Sequence, residues 1–446
     1  MKFTFNNKTT WKLALCLMIA SAPVAVSQAD SLEFTVAQTL QSNPAIREVF
    51  YRYHAFEQDK KTARGGWLPS LDLQAVSQLN KSESPLSRLR DDVEDGRAGN
   101  VSLTLRQMLF DGFYTSSEVD RTDAEAQAEF WSLLATSESV ALEVARVYLE
   151  VLKTEQLKTL AEKNLQSHRA IYEQISERVE SGLGSQSDLS QIRGRLARAH
   201  ANYLAAQNND VDARAAFMAV VGYYPTNLRM PVPDTRLLPA SKQQLLEQAR
   251  DQHPIMFSAS FDVDATEAHQ AAHRSNYWPQ LHLEVQANKF NRWQRDNDYV
   301  DRTQARLVLR YNLFNGRRDY HQQTKLAYRT AEAKAIREQA YRQVIESARL
   351  SWSAEQTLFQ QLAYLQEHVE ESYKTQVAYR EQFDLGRRSL LDLLDTENEL
   401  FEARGSYVSA EMDHIFANFR ILQAKGELLT ALRIDAEQLF QSKGKE

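Results

Sequence analysis

Residues 67–71 read Trp67-Leu68-Pro69-Ser70-Leu71, and residues 277–281 read Tyr277-Trp278-Pro279-Gln280-Leu281. The two prolines lie 210 positions apart, and the same spacing joins Asn43-Pro44 to His253-Pro254. Further along, Leu109-Phe110-Asp111-Gly112 recurs as Leu313-Phe314-Asn315-Gly316, now 204 apart. That second spacing also joins Gly182 to Gly386 and Asp188-Leu189 to Asp392-Leu393. A single loop shortened by six residues accounts for the change. Agreement at several separated points identifies an internal duplication, the first thing to seek in a chain of this length.

The duplication sets the order of elements. In each half a helix comes first, over roughly 33–64 and 242–275. The proline ends it, because the residue before proline avoids helical geometry. Two strand-like runs come next, and the Leu-Phe-Asp/Asn-Gly turn closes the second. A very long helix without internal proline spans roughly 113–180 and 317–384. A glycine-containing turn reverses it into another helix, roughly 187–222 and 390–432. The organisation expected is a targeting segment over 1–29, repeats over 30–235 and 236–434, and a tail over 435–446.

Composition agrees with long helices. The chain of 446 residues has only 14 glycines and 10 prolines, too few for the turns of an all-β sandwich or propeller. With 53 basic and 59 acidic residues it is not a basic nucleic-acid binder, and no nucleic-acid partner is expected. At 43% hydrophobic it is too apolar for a disordered chain.

The N-terminus has the layout of a secretory signal peptide. Lys2, Lys8 and Lys12 precede the apolar run Leu13 to Ala22, and Ser27-Gln28-Ala29 supplies small residues before Asp30. The run is well short of the ~20 residues a span needs. Removing 1–29 leaves 50 basic and 59 acidic residues, a net charge of -9, and removes the only cysteine, Cys16. The mature chain then has no disulfide and no cysteine-based metal site. No later apolar run reaches 18 residues, so an exported chain that enters a membrane does so as a closed β-barrel.

The strand-like runs alternate. Leu71, Leu73 and Ala75 fall on one face, as do Val101, Leu103 and Leu105. Leu281-His282-Leu283-Glu284-Val285-Gln286 and Arg306–Tyr311 repeat the pattern. Arg106, His282, Glu284 and Arg310 fall opposite. Period two means one apolar and one polar face, which a half-buried sheet of a soluble domain also has. The connecting segments Asn80–Asn100 and Asn291–Thr303 read as polar loops, rich in charge (Arg88, Arg90, Asp91, Asp92, Glu94, Asp95; Arg295, Asp296, Asp298, Asp301).

Each long helix would extend about 100 Å at 1.5 Å per residue. Val140, Val144, Val147 and Val151 keep coiled-coil spacing, and Leu142, Ala145, Leu149 and Leu152 form a second stripe. Leu358, Leu362, Leu365 and Val369 repeat the seam in the second half. Two stripes imply two neighbours, as in a wall of helices or the inside of a bundle. Four strands cannot close a barrel, whereas three chains would supply twelve.

These features resemble the TolC family of outer-membrane channel proteins over essentially the whole mature chain. The resemblance rests on the duplicated proline-containing strand starts, the Leu-Phe-Asp/Asn-Gly turns and the paired Gly-x-x-x-x-x-Asp turns. The segment from Phe383-Asp384-Leu385-Gly386 to Leu393-Leu394-Asp395 is its sharpest part, and it looks most like members serving type I secretion, including exporters of very large adhesins. The resemblance implies a mainly α fold with a small antiparallel β part. It also implies a homotrimer with a twelve-stranded barrel in outer-membrane lipid and an α-helical tunnel across the periplasm. Its expected partners are a periplasmic membrane-fusion adaptor and an inner-membrane ABC transporter, or a proton-driven efflux pump in the small-molecule alternative.

By the same resemblance the turns Gly182–Asp188 and Gly386–Asp392 form a periplasmic tip that is closed at rest. Gly182, Leu183, Gly386 and Arg387 are the expected adaptor-docking positions. A family latch, in which an Arg and a Tyr of the second turn hold an Asp of the first turn on a neighbouring helix, places Arg388 and Asp188 as partners. The Tyr position holds Phe383, which cannot donate a hydrogen bond. Read without the resemblance, Asp188 is a helix N-cap. Asp392 and Asp395, three apart on one helix face, would ring a narrow opening with six carboxylates in a trimer; alone they read as first-turn acids. His269 and His273 are four apart, with no carboxylate-rich motif beside them. No phosphate loop, nucleophile elbow or Cys-His pairing occurs, so neither enzymatic chemistry nor a cofactor is expected.

Overall fold

A computed structural model of the chain describes residues 31–82, 94–292, 299–435 and 440. The signal-peptide reading, Cys16, most of the C-terminal tail and the loop charges Arg88, Arg90, Asp91, Asp92, Arg295, Asp296 and Asp298 lie outside those residues. The first half contains α1 (Leu32–Ser42), α2 (Pro44–Arg64), β1 (Ser70–Ser82), β2 (Glu94–Phe110), α3 (Tyr114–Glu180) and α4 (Gln186–Val221). The second contains α5 (Lys242–Gln252), α6 (Pro254–Arg274), β3 (Gln280–Arg292), β4 (Tyr299–Arg310), α7 (Arg318–Asp384) and α8 (Leu390–Lys425), and after it a single turn, α9 (Leu428–Ala431). The protein is mostly helical with one small antiparallel sheet. Helix bounds recur at the offsets read from sequence: 210 for α1 and α2, 204 for α3 and α4. The change of offset falls in the β3–β4 connection.

Three readings are corrected. The opening helix of each half is two helices, not one. Asn43 leaves the helical region (ψ 128°) and its side chain accepts the Ala45 N–H at 2.9 Å, starting α2 with Pro44 in its first turn. Proline is suited there because its missing N–H would have no helical partner. His253 does the same for α6, its Nδ1 accepting from the Ile255 N–H at 3.2 Å. Burial pushes this imidazole down to about 4, keeping the acceptor lone pair free at neutral pH. Second, the polar loops are shorter than read, since β1 runs to Ser82, β2 begins at Glu94 and β4 at Tyr299. Glu94, Asp95 and Asp301 are strand residues. Third, the last helix stops at Lys425, where Gly426 adopts φ 81°.

The sheet order is β1-β2-β3-β4, all antiparallel, with β1 and β4 as free edges. Leu73 lies opposite Leu103, and Leu283 opposite Leu307. These residues share one face, on which Leu73 is 72% exposed and Leu309 66%. The other face is polar and linked across strands. Glu284 on β3 accepts from Arg106 on β2 at 2.8 Å and from Arg306 on β4 at 2.9 Å, and Gln304 donates to Gln286 at 2.9 Å.

Strand passes to helix through Gly112 and Phe113 at positive φ (68° and 69°), and again through Gly316 and Arg317 (70° and 63°). Asp111 then accepts the Thr115 N–H at 2.8 Å and so caps α3. Both stripes of α3 bury over most of their length, Val144, Val147 and Val151 on one and Ala145, Leu149 and Leu152 on the other, while Val140 and Leu142 at their starts are half-buried. The α7 seam is only half-buried at Leu358, Leu362, Leu365 and Val369. The main core joins α1 and α2 to the middle of α3, the end of α4, and α8 with α9. Tyr148 in α3 binds the chain after α4, donating to the Arg229 carbonyl at 2.7 Å and accepting its N–H at 2.9 Å.

Glu138 in α3 is buried and accepts the Leu428 and Leu429 N–H groups at 3.0 and 3.2 Å, capping α9 from across the core. Burial pushes its carboxyl up to about 7, against those two bonds, which favour the carboxylate. A folded-state value above the unfolded one means that stability is full at low pH and declines as pH rises through about 7. Glu138→Gln, neutral throughout, should therefore lose less Tm than the parent between pH 5 and pH 7.5. Glu138→Leu, which removes the cap, should lower stability by about 1–3 kcal/mol at either pH.

Candidate functional site

The far ends of the two long hairpins meet in a small apolar cluster of their own. Ile171 and Ile175 come from α3, Leu189 and Ile192 from α4, Phe383 from α7, and Leu390, Leu393 and Leu394 from α8. Phe383 is 5% exposed, with the Arg178 guanidinium over its ring at 5.2 Å. Phenylalanine is an anchor here, and a tyrosine hydroxyl at this depth would need a partner.

The two turns share one geometry. After α3, the Leu183 N–H donates to the Arg178 carbonyl at 2.8 Å and the Gly182 N–H to Val179 at 3.0 Å. After α7, Arg387 and Gly386 donate to Gln382 and Phe383 at the same distances. This double closure needs a left-handed residue in the middle, which Gly182 (φ 74°) and Gly386 (φ 72°) supply. It pushes Leu183 into solvent, where it is 85% exposed. Arg387 is exposed as well and makes no ion pair among the described residues.

The helices that leave the turns begin differently. Ser185, not Asp188, is the N-cap of α4, so the capping reading of Asp188 is corrected; Asp188 stands two residues into the helix and is half-buried. In α8 Ser389 is the N-cap and Asp392 closes a capping box, each side chain accepting the other's backbone N–H. Asp395 accepts from Arg195 of α4 at 2.7 Å, joining the two hairpins at the surface.

Within one chain Arg388 does not meet Asp188. It donates to Gln382 at 2.9 Å, reaches Asp392 at 3.9 Å, and lies over the Tyr379 ring at 4.2 Å. Sequence reasoning missed Tyr379, which sits one helical turn before Phe383 and so shares its side of α7. It also missed the buried centre above the tip. Glu397 in α8 is 8% exposed and accepts from Arg380 and Gln376 of α7 and from Ser167 of α3, the last at 2.9 Å. Burial pushes its carboxyl up, but these hydrogen bonds outweigh burial and hold it below its usual value. Three helices from both halves are thus fixed to one carboxylate.

The family model described as outer membrane efflux protein matches residues 35–223 and again 245–427. The chain belongs to that family. Its place is the outer membrane. Outer membrane efflux protein BepC of Brucella suis is 26% identical over 361 residues, covering 79% of this chain and 76% of its own. Outer membrane protein TolC of Vibrio cholerae is 23% identical over 440 residues, covering 94% and 96%. Alkaline protease secretion protein AprF of Pseudomonas aeruginosa is 21% identical over 432 residues, covering 94% and 88%. Among solved structures, the Campylobacter jejuni CmeC outer membrane channel superposes with a TM-score of 0.79 at 15% identity, over 91% of this chain and 90% of that one. The open-state MtrE channel of Neisseria gonorrhoeae gives 0.75 at 17%, over 89% of each.

Arg380→Ala strands a buried carboxylate and should cost about 3 kcal/mol. Because Glu397 is held low, its stabilising share is full at neutral pH and lost as pH falls through its depressed value. The variant should therefore differ most from the parent at pH 7 and converge with it in acid. Thermal melts across that range, with hydrogen exchange at the ends of α7 and α8, would check this.

Proposed function

We propose that three copies of this chain form the outer-membrane exit duct of a tripartite type I secretion system. The duct passes a protein substrate, such as a large adhesin, from an inner-membrane ABC transporter and a periplasmic adaptor to the outside. The observation that carries the reading is the two-faced sheet. Its leucine face suits lipid, and the opposite face, joined by Arg106, Glu284 and Arg306, suits a water-filled lumen. Helices α3 and α7, each 67 residues, have the length to line a tunnel below it. The AprF name, attached to a relative that matches nearly end to end, supports a protein cargo. The family description and the BepC name favour a second reading, the outer component of a multidrug or small-molecule efflux pump.

The tip is where partners would act. Leu183, held outward by its turn, and Arg387, exposed beside the second turn, offer an adaptor an apolar contact and a positive charge. Arg388 and Asp188 latch the resting tip between adjacent chains, since Asp188 makes no ion pair within its own chain among the described residues. Phe383 contributes packing there and no hydrogen bond. Asp392 and Asp395 ring the opening. Both remain partly exposed despite their cap and ion pair (side chains 42% and 58%) and keep oxygens free for cations.

A deletion strain separates the two cargoes. Loss of a secreted or surface protein with unchanged drug sensitivity supports secretion, and the reverse supports efflux. In planar bilayers, Asp392→Ala with Asp395→Ala should weaken block by a trivalent cation at least about tenfold. Block that persists would move the cation site elsewhere. In the same recordings Arg388→Ser should raise conductance, and unchanged conductance would count against the latch.

A further inference from the structure

The polar face of the sheet carries more positive than negative charge. Among its described side chains Arg106, Arg302, Arg306 and Arg310 stand against Asp72 and Glu284. Glu284 takes one guanidinium at 2.8 Å and a second at 2.9 Å, so the row Arg106–Glu284–Arg306 keeps one positive charge in excess. Arg310, further toward the helices on the same face, makes no ion pair among the described residues. A basic surface is not what the whole chain's balance of 53 basic and 59 acidic residues provides by default, and a local field of one sign acts on what passes over it.

Beside Arg310 the strand end and the start of α7 bound a cavity of about 780 Å³, within the roughly 300–1,000 Å³ of ligand-binding clefts. Arg310 and Gln280, opposite each other in the register, both line it, so it lies on the polar side of the sheet. From α7 come Arg318, His321 and Lys325, three and four apart and therefore on one side of the helix. The charged lining is three cations, Arg310, Arg318 and Lys325, and one carboxylate, Asp319. Asp319 does not neutralise them. Asn276 donates to one of its oxygens at 3.0 Å and Asn315 to the other. Arg318 spends its Nε on the Asn315 carbonyl at 3.3 Å, and neither it nor Lys325 makes an ion pair among the described residues.

We propose that this cavity binds clustered carboxylates, and that with Arg306 and Arg106 it forms a positive girdle which holds acidic stretches of the cargo as they enter the barrel. The proposal rests on the reading of the sheet's polar face as a lumen wall and names the chemistry that wall selects. Unpaired guanidinium forks take carboxylates two oxygens at a time, and an ammonium beside them adds a point charge. A lipid headgroup is the less suited occupant, because Arg310 and Gln280 share their face with Glu284 and not with the leucines. Three copies would repeat the three cations around one level of the duct.

The other end of α7 has the opposite sign, since Asp392 and Asp395 follow the turn that closes it. The 67 residues of α7 hold the two ends about 100 Å apart. That is some ten times the roughly 8 Å over which salt water screens a charge, so girdle and acidic ring act on a passing chain independently and can be measured separately.

The test is block of the current by an acidic peptide. In planar bilayers the full-length protein, extracted from outer membranes in detergent, should be blocked by hexaglutamate added on the barrel side, and less so as salt rises. Arg310→Gln with Arg318→Gln should weaken that block at least about tenfold. Arg310→Lys with Arg318→Lys, which keeps the charge, should retain most of it. Lys334→Gln removes a cation of α7 that pairs with Glu267 outside the cavity, and should leave the block as it is in the parent. Where the glutamine pair gives no pores, Lys325→Gln alone should still weaken the block about threefold. A parent whose current ignores hexaglutamate overturns the girdle and leaves the duct standing, and so does equal block of the parent and the glutamine variants. Anionic phospholipid that copurifies with the parent and is lost from the glutamine pair, without any block, assigns the cavity to a headgroup and also overturns the girdle. A parent that forms no pores refutes the duct itself, and the girdle with it.

Discussion

A β-strand in lipid cannot leave its backbone N–H and C=O groups unpaired, and four strands in a row always leave two such rows. That constraint governs the barrel proposed above. The leucines of β1 and β4 are exposed on one face, with no core of the chain's own packed against them among the described residues. The polar face, drawn together at Glu284, cannot be buried against apolar helices. In the function proposed above, the sheet continues through further copies. The duplicated chain suits that reading, because each half offers the same strand pair at the same register and the same turn into a helix.

The helices answer a different difficulty. A helix of about 100 Å has no compact core to pack against, so its neighbours must be supplied along its length. The molecule does this at three levels. In the middle, α1, α2 and the end of α8 surround α3 with the largest apolar cluster. Between middle and tip, polar fixings such as Lys158 with Asp210, and Arg380 with Glu397, join buried apolar residues such as Leu165 and Ala403. At the tip a small cluster around Phe383 closes the hairpins again. Buried ion pairs add little net stability but penalise misregister heavily, which suits long helices that could otherwise slide.

Much of this was legible in the chain's own repetition. Two offsets, taken from Pro44, Pro69, Gly112 and Gly182, located every long element, and the period-two runs gave the faces of the sheet. The missed features share a physical character. The breaks at Asn43 and His253 were signalled by the prolines after them, but the apolar period continues across them and masked the signal. Strand ends ran past the expected loops because backbone pairing carries through charged positions such as Asp95 and Asp301. Glu397 and Arg380 stand 17 positions apart on two helices, and no local pattern announces a contact made by folding a hairpin. Within its own chain Arg388 meets Gln382 and Tyr379, contacts that no periodicity announces. Sequence gives periodicity well and choice among several nearby polar groups poorly.

The two turns are similar in backbone but lead into unlike helix starts. Asp392 is tied into its helix by Ser389, while Asp188 at the matching place makes no side-chain hydrogen bond or ion pair among the described residues. Arg387 and Arg388 come after one glycine, and Leu183 and Gly184 hold those places after the other. Three such chains around an axis would therefore present six landings of two alternating kinds. An identical-subunit collar settling on them would have to tolerate both kinds, or occupy every other one and leave three vacant.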